Sequence, residues 1–178
     1  MRQRWAIKLV LLVMLSLSAL AVYAGSPHFI GSVRFSSGSL RAEGDLAGLG
    51  NENVIVRMDA TATTLALCEN PGGNLAPGRN PIYITQTVSD TAAPDRNGRA
   101  HIVLVAQDPT TIYPPPVSPT PKEAGCPNGK WRVVGLVPGS THWTSARIQV
   151  IDNATGAVRW DQFYTCSGTD INLACIPS

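Results

Sequence analysis

The stretch VIVRMDATA, Val54 to Ala62, decides the fold. Val54, Val56, Met58, Ala60 and Ala62 fall on one side of an extended chain, and Arg57, Asp59 and Thr61 fall on the other. A period of two means a strand with one dry and one wet face, as antiparallel sheets have. After Thr63 and Thr64 the apolar residues change phase to Leu65 and Leu67, which predicts a β-bulge or bend there.

Outward from this strand the same grammar repeats. HFIGSVRF (His28 to Phe35), IYITQTVS (Ile82 to Ser89), AHIVLVAQ (Ala100 to Gln107), WRVVGLVP (Trp131 to Pro138), HWTSARIQVID (His142 to Asp152) and AVRWDQFYT (Ala157 to Thr165) are short and rich in β-branched or aromatic residues. Turn formers separate them, including Asn97-Gly98 and the run Asp152 to Gly156. Outside the N-terminus no window carries apolar residues at helical spacing. The expectation is an all-β protein: an immunoglobulin-like antiparallel β-sandwich of about seven or eight strands with two disulfides. A barrel is the lesser alternative.

The N-terminus reads as an export signal. Arg2, Arg4 and Lys8 precede the uncharged run Leu9 to Val22, and Val22 and Ala24 occupy the −3 and −1 places before Gly25. Residues 1–24 are therefore expected to be a signal peptide, and 25–178 a single β-sandwich domain. The expected location is secreted, extracellular or periplasmic, with no membrane span after cleavage. The chain has 14 Lys+Arg and 12 Asp+Glu. Losing the three basic residues of the signal leaves a mature net charge of −1. That balance gives no basic patch for nucleic acid or an anionic membrane.

Cys68, Cys126, Cys166 and Cys175 form an even set in an exported chain, which points to two disulfides. Three connectivities exist. Cys166 and Cys175 flank the polar loop CSGTDINLAC over 166–175, and pairing them leaves Cys68 with Cys126. No C-x-x-C occurs and no His stands at ligand spacing from a Cys, so a metal reading is weak.

Two stretches have functional alternatives. CENPGGNLAPGRNP, Cys68 to Pro81, lacks the helix and the Lys that a phosphate loop needs, and it reads as a disulfide-anchored loop between strands. Glu69 and Arg79 in it are candidate ligand contacts. The Pro-rich segment 108–129 has seven prolines, which no strand interior tolerates. It is expected to be an extended surface connection held by Cys126, or alternatively a loop, Asp108 to Gly125, that enters a partner's groove. Glu43, Asp45, Asn51 and Glu52 lack the spacing of a calcium loop and read as a solvated turn. His101 reads as a packed strand residue. Trp131, Trp143, Trp160 and Tyr164 are candidates for stacking on sugars, with core packing expected for most of them; Trp143 stands on the opposite phase from Ala146, Ile148 and Val150, so it is the candidate exposed ring. Asn153-Ala154-Thr155 is a glycosylation sequon. No catalytic residue, metal ligand or cofactor site is expected.

The residues also carry a resemblance. AGLG (Ala47 to Gly50), the C-x-N-x-G-G-N loop of Cys68, Asn70, Gly72, Gly73 and Asn74 with Pro77, and the C-P-x-G run of Cys126, Pro127 and Gly129 before a late strand resemble a group of small, uncharacterised secreted bacterial proteins. The resemblance covers roughly residues 45–150. It implies an immunoglobulin-like sandwich and a bridge from Cys68 to Cys126, and it brings no activity. The expected function is a non-catalytic module for binding, adhesion or envelope structure, its partner a protein or polysaccharide of the cell envelope. The alternative is a small secreted hydrolase on the same scaffold.

Overall fold

The structure is a computed structural model that describes residues 25–36, 38–112, 114–168 and 172–178. The expected signal peptide lies outside the described residues. Ten strands are described: β1 (His28–Phe29), β2 (Arg34–Ser36), β3 (Leu40–Ala47), β4 (Val54–Glu69), β5 (Leu75–Ala92), β6 (Ala100–Ala106), β7 (Arg132–Leu136), β8 (His142–Asp152), β9 (Val158–Ser167) and β10 (Ala174–Pro177). They form two antiparallel sheets. In the small sheet β1 and β2 follow one edge of β3, and β6 pairs with β3 as well. The large sheet runs β10-β9-β8-β4-β5, with β7 continuing the line of β8 beside the far end of β4.

The main core lies between the sheets. Leu40, Ala42, Leu46, Ile102 and Leu104 of the small sheet meet Val54, Val56, Met58, Ala60, Ile148 and Val150 of the large one. Two aromatic pairs cross the gap, Phe29–Trp160 and Phe35–Tyr164, each with ring centroids 4.9 Å apart. Gly44 makes room for the first pair. It faces the core, and a Cβ there would meet the Phe29 ring at 2.9 Å.

β4 has 16 residues and β5 has 18, so the ribbon they form is about 50 Å long and outruns the small sheet. Its far half carries a second, smaller core. Ala66, Ile82, Ile84 and Leu136 are covered there by Ala124, Val117 and Cys126 of the Pro-rich connection. This segment is therefore a lid folded onto the sheet, not a free excursion. It is held by backbone bonds from Arg79 and Asn80 to Gly125 and Ala124, and by the disulfide Cys68–Cys126. A polar seam separates the two cores. Buried Thr64 shares a 2.7 Å hydrogen bond with Ser140, and buried Thr141 donates to Asp108 at 2.7 Å.

Three expectations need correction. The predicted phase change after Thr64 does not occur: burial alternates without a break from Val54 to Glu69, so Thr64, Ala66 and Cys68 face inward while Leu65 and Leu67 are half-buried on the other face. The register irregularity falls on the partner, where Leu65 pairs with Pro81 and Leu67 with Pro77. The stretch read as one loop is also half strand, since β5 begins at Leu75. Its prolines are tolerated because β5 is an edge strand, so a missing N–H need not break a ladder bond. Finally, β3 and β10 go beyond the strand segments picked from the sequence, and the segment His28 to Phe35 divides into β1 and β2, so ten strands replace seven or eight.

The second disulfide joins Cys166 of β9 to Cys175 of β10, residues directly opposite in the ladder. Both expected pairings are therefore present, and none of the four cysteines is free. Among the described residues no helix is long and apolar enough to cross a membrane.

Candidate functional site

At the disulfide end, the turn after β4 is rigid and self-satisfied. The Asn70 side-chain oxygen accepts from the N–H groups of Gly72 and Asn74, both at 2.9 Å, and the Gly73 N–H donates to the Asn70 carbonyl. Gly73 has φ +80°, which a residue with a Cβ rarely adopts. With these donors spent internally, the loop has no cradle for phosphate. Beside it lies an open recess of about 450 Å³, lined by Glu69, Asn70, Gly72, Lys130 and Arg132. Arg132 closes one wall by donating from Nε to Glu69 at 2.8 Å.

The three sequence candidates do not come together. Glu69 lines this recess. Arg79 sits on the irregular part of β5 against the lid. Trp143 is 2% exposed, and its Nε1–H donates to the Gly38 carbonyl at 3.1 Å. The expectation of an exposed Trp143 ring fails because β8 has one extra residue against β4: Thr61 pairs with Ser145 but Ala62 with Trp143. That bulge turns Trp143 to the core side. Trp160 and Tyr164 are packed in the aromatic pairs, and Trp131 is half-buried.

The outer face of the small sheet gathers the charges of β3. Glu43 and Asp45 are strand residues, not members of a turn with Asn51 and Glu52, so the solvated-turn reading of all four is corrected. His101, opposite Asp45, is 54% exposed and not packed. Its Nδ1 lies 2.8 Å from Asp45 and its Nε2 lies 3.6 Å from Glu43. An open cleft of about 590 Å³ passes this pair, walled by Ile30, Pro94, Asp95 and Arg99. Among the described residues no group of three or more His, Cys, Asp or Glu is placed to hold a metal ion.

The outer face of the large sheet carries a network of paired polar side chains. Its side chains are fixed by one another. Thr61 and Thr85 share a 3.1 Å hydrogen bond, and Thr87 donates to Asp59 at 2.6 Å. Arg57 donates to Gln149, and Gln149 donates to Asp161 at 3.2 Å. Arg147 holds Asp161 through two bonds, the first at 2.9 Å from Nε, and lies 4.8 Å over the Phe163 ring. The Arg147 bond holds the Asp161 carboxyl below its ordinary range, and the same bond raises the guanidinium. Phe163 is 51% exposed and Tyr83 is 69% exposed. Tyr83 pairs with Thr63, and Phe163 pairs with Arg147, which pairs with Asp59. Both rings therefore stand on this face.

Sequence reasoning passed over these two rings. Strict alternation would have found them: Ile82 and Ile84 are buried around Tyr83, and Tyr164 is buried next to Phe163.

No protein-family model matches the chain, and no curated protein matches it. Among solved structures, a beta-glucuronidase of Bacteroides uniformis is similar at 11% identity with a TM-score of 0.21. A calcium-binding mutant of Bacteroides uniformis beta-glucuronidase 2 is similar at 12% identity and the same TM-score. Each match covers 79% of this chain and 14% of that chain, and at such a score it carries no argument about fold or chemistry.

Proposed function

We propose that this chain is a secreted, non-catalytic β-sandwich module that binds a component of the cell envelope or its surroundings. The supporting observation is the outer face of the large sheet, where polar side chains already hold one another and two aromatic rings are exposed, Tyr83 and the Phe163 ring that Arg147 backs on one side. Groups ordered in advance lose little conformational entropy when a ligand arrives, which favours binding. Export fits the leader-like N-terminus and the two disulfides, which persist in oxidising compartments. The resemblance to small secreted bacterial proteins points the same way.

The hydrolase alternative has one observation in its favour. Ser32 lines the same small recess as His101, whose Nδ1 is held by Asp45. One experiment separates the two readings. Purified mature protein is incubated with isolated cell-envelope fractions, and both co-sedimentation and released soluble fragments are measured. Saturable co-sedimentation without release supports the binding module. Release that disappears in Ser32→Ala and His101→Ala identifies the hydrolase.

A further inference from the structure

We propose that the outer face of the large sheet is a platform for one extended, neutral polysaccharide chain, with Tyr83 and Phe163 as its two stacking ends. This deepens the binding-module reading and rests on it. The argument begins with position. Tyr83 lies on β5 opposite Thr63, and Phe163 lies on β9 in the row of Asp59. The two rows are four residues apart along β4, and β5 and β9 are separated by three strand spacings. The rings are therefore about 20 Å apart on a diagonal. A monosaccharide cannot reach both, but an oligosaccharide of several units can.

The ground between the rings has the chemistry for hydroxyl groups. Thr61, Thr85, Thr87, Ser145 and Asp59 supply donors and acceptors, several already fixed in direction. The charges on this face neutralise each other locally, Arg57 against Asp59 and Arg147 against Asp161. A polyanion such as nucleic acid or an acidic glycan gains no net field here, and neither does a cationic peptide. Polar side chains at Thr61, Thr85 and Ser145 separate the two exposed rings, so Tyr83 and Phe163 do not form one packed anchor cluster of the kind a protein interface uses. Exposed rings spaced along a polar, charge-neutral plane suit a ligand with alternating apolar ring faces and hydroxyl edges.

The test uses the intact mature protein and the Tyr83→Ala, Phe163→Ala, Tyr83→Phe and Lys130→Ala/Arg132→Ala variants. Probes are cellulose, xylan, mannan, chitin and a β-1,3-glucan, with a length series of oligosaccharides from whichever is bound. The expected result is saturable binding to at least one neutral probe. Binding should weaken at least tenfold in Tyr83→Ala and in Phe163→Ala, survive in Tyr83→Phe, and vary little with salt. Affinity should rise with oligosaccharide length until both rings are spanned. Because both rings are exposed, melting temperatures should not change. Binding of no neutral probe overturns the platform, as does retention of full affinity in Tyr83→Ala and Phe163→Ala. Loss confined to Lys130→Ala/Arg132→Ala moves the site to the disulfide-end recess and leaves the binding-module reading intact. Release of soluble sugar by the wild-type protein defeats the binding-module reading itself.

Discussion

A methyl group placed on Gly78 would lie 2.2 Å from the carbonyl oxygen of Ala124, a backbone atom with little freedom to move. Gly78 is thus the contact that lets β5 approach the lid. Gly78→Ala should lower unfolding free energy by about 1–3 kcal/mol, the usual range for overpacking. Gly129→Ala, where a Cβ meets nothing within 4 Å, should stay within about 0.5 kcal/mol. Urea denaturation of both variants checks the pair. Single residues were legible in the sequence where alternation was unbroken. Met58, Ala60, Ile148 and Val150 are core residues, as their phase requires. Trp143 was not legible, because one extra residue in β8 reverses its side and no local signal marks that bulge. His101 misled because it sits inside an apolar run, yet it faces the charged side of the sheet opposite Asp45.

The elements show where length matters more than composition. VIVRMDATA announces a strand, but its continuation to Glu69 was obscured because inward Thr64 is polar while outward Leu65 and Leu67 are apolar. Thr64 reads as a break only until its hydroxyl partner, Ser140, is known, and that residue is 76 positions away. The lid was legible as Pro-rich and tied at Cys126, but its packing over Ile82 and Ile84 depends on contacts far apart in sequence. The Cys68–Cys126 bridge closes a segment with a sequence separation of 58, for which the chain-entropy relation gives about 4 kcal/mol. Cys68→Ala/Cys126→Ala should therefore lose about 2–5 kcal/mol, as is usual for native disulfides. Hydrogen exchange should accelerate first in β7 and in the half of the β4–β5 ribbon under the lid. Val54 to Ala62, under the main core, should keep their protection. Equal acceleration along all of β4 would mean the two cores open as one. Thr141→Val should cost about 1–3 kcal/mol by removing a donor from Asp108 within the polar seam, measured by the same denaturation.

Across the whole molecule, acid stability follows from four carboxyls whose folded pKa values are lowered. Backbone N–H bonds lower Asp95, Glu123 and Asp152, chiefly those from Arg99, Thr120 and Thr155, and the Arg147 side chain lowers Asp161. A lowered folded value contributes stability above the unfolded pKa, and that contribution is lost as pH falls through the folded value. The melting temperature should therefore be flat down to about pH 5 and fall below about pH 4, where unfolded carboxyls titrate. Asp161→Asn should show a smaller fall, and a steep loss near neutral pH would contradict this account. The bridge between β4 and the lid also has a mechanical meaning. If the chain were pulled from its ends, tension would pass from Cys68 straight to Cys126 through sulfur, and the intervening segment, with β5 and β6 in it, would bear no load. A fully extended oxidised molecule would then be shorter than a reduced one by about 200 Å, the contour of the shielded segment. Under oxidising conditions the pulled chain would keep a fixed reach, and a reducing environment would let it lengthen.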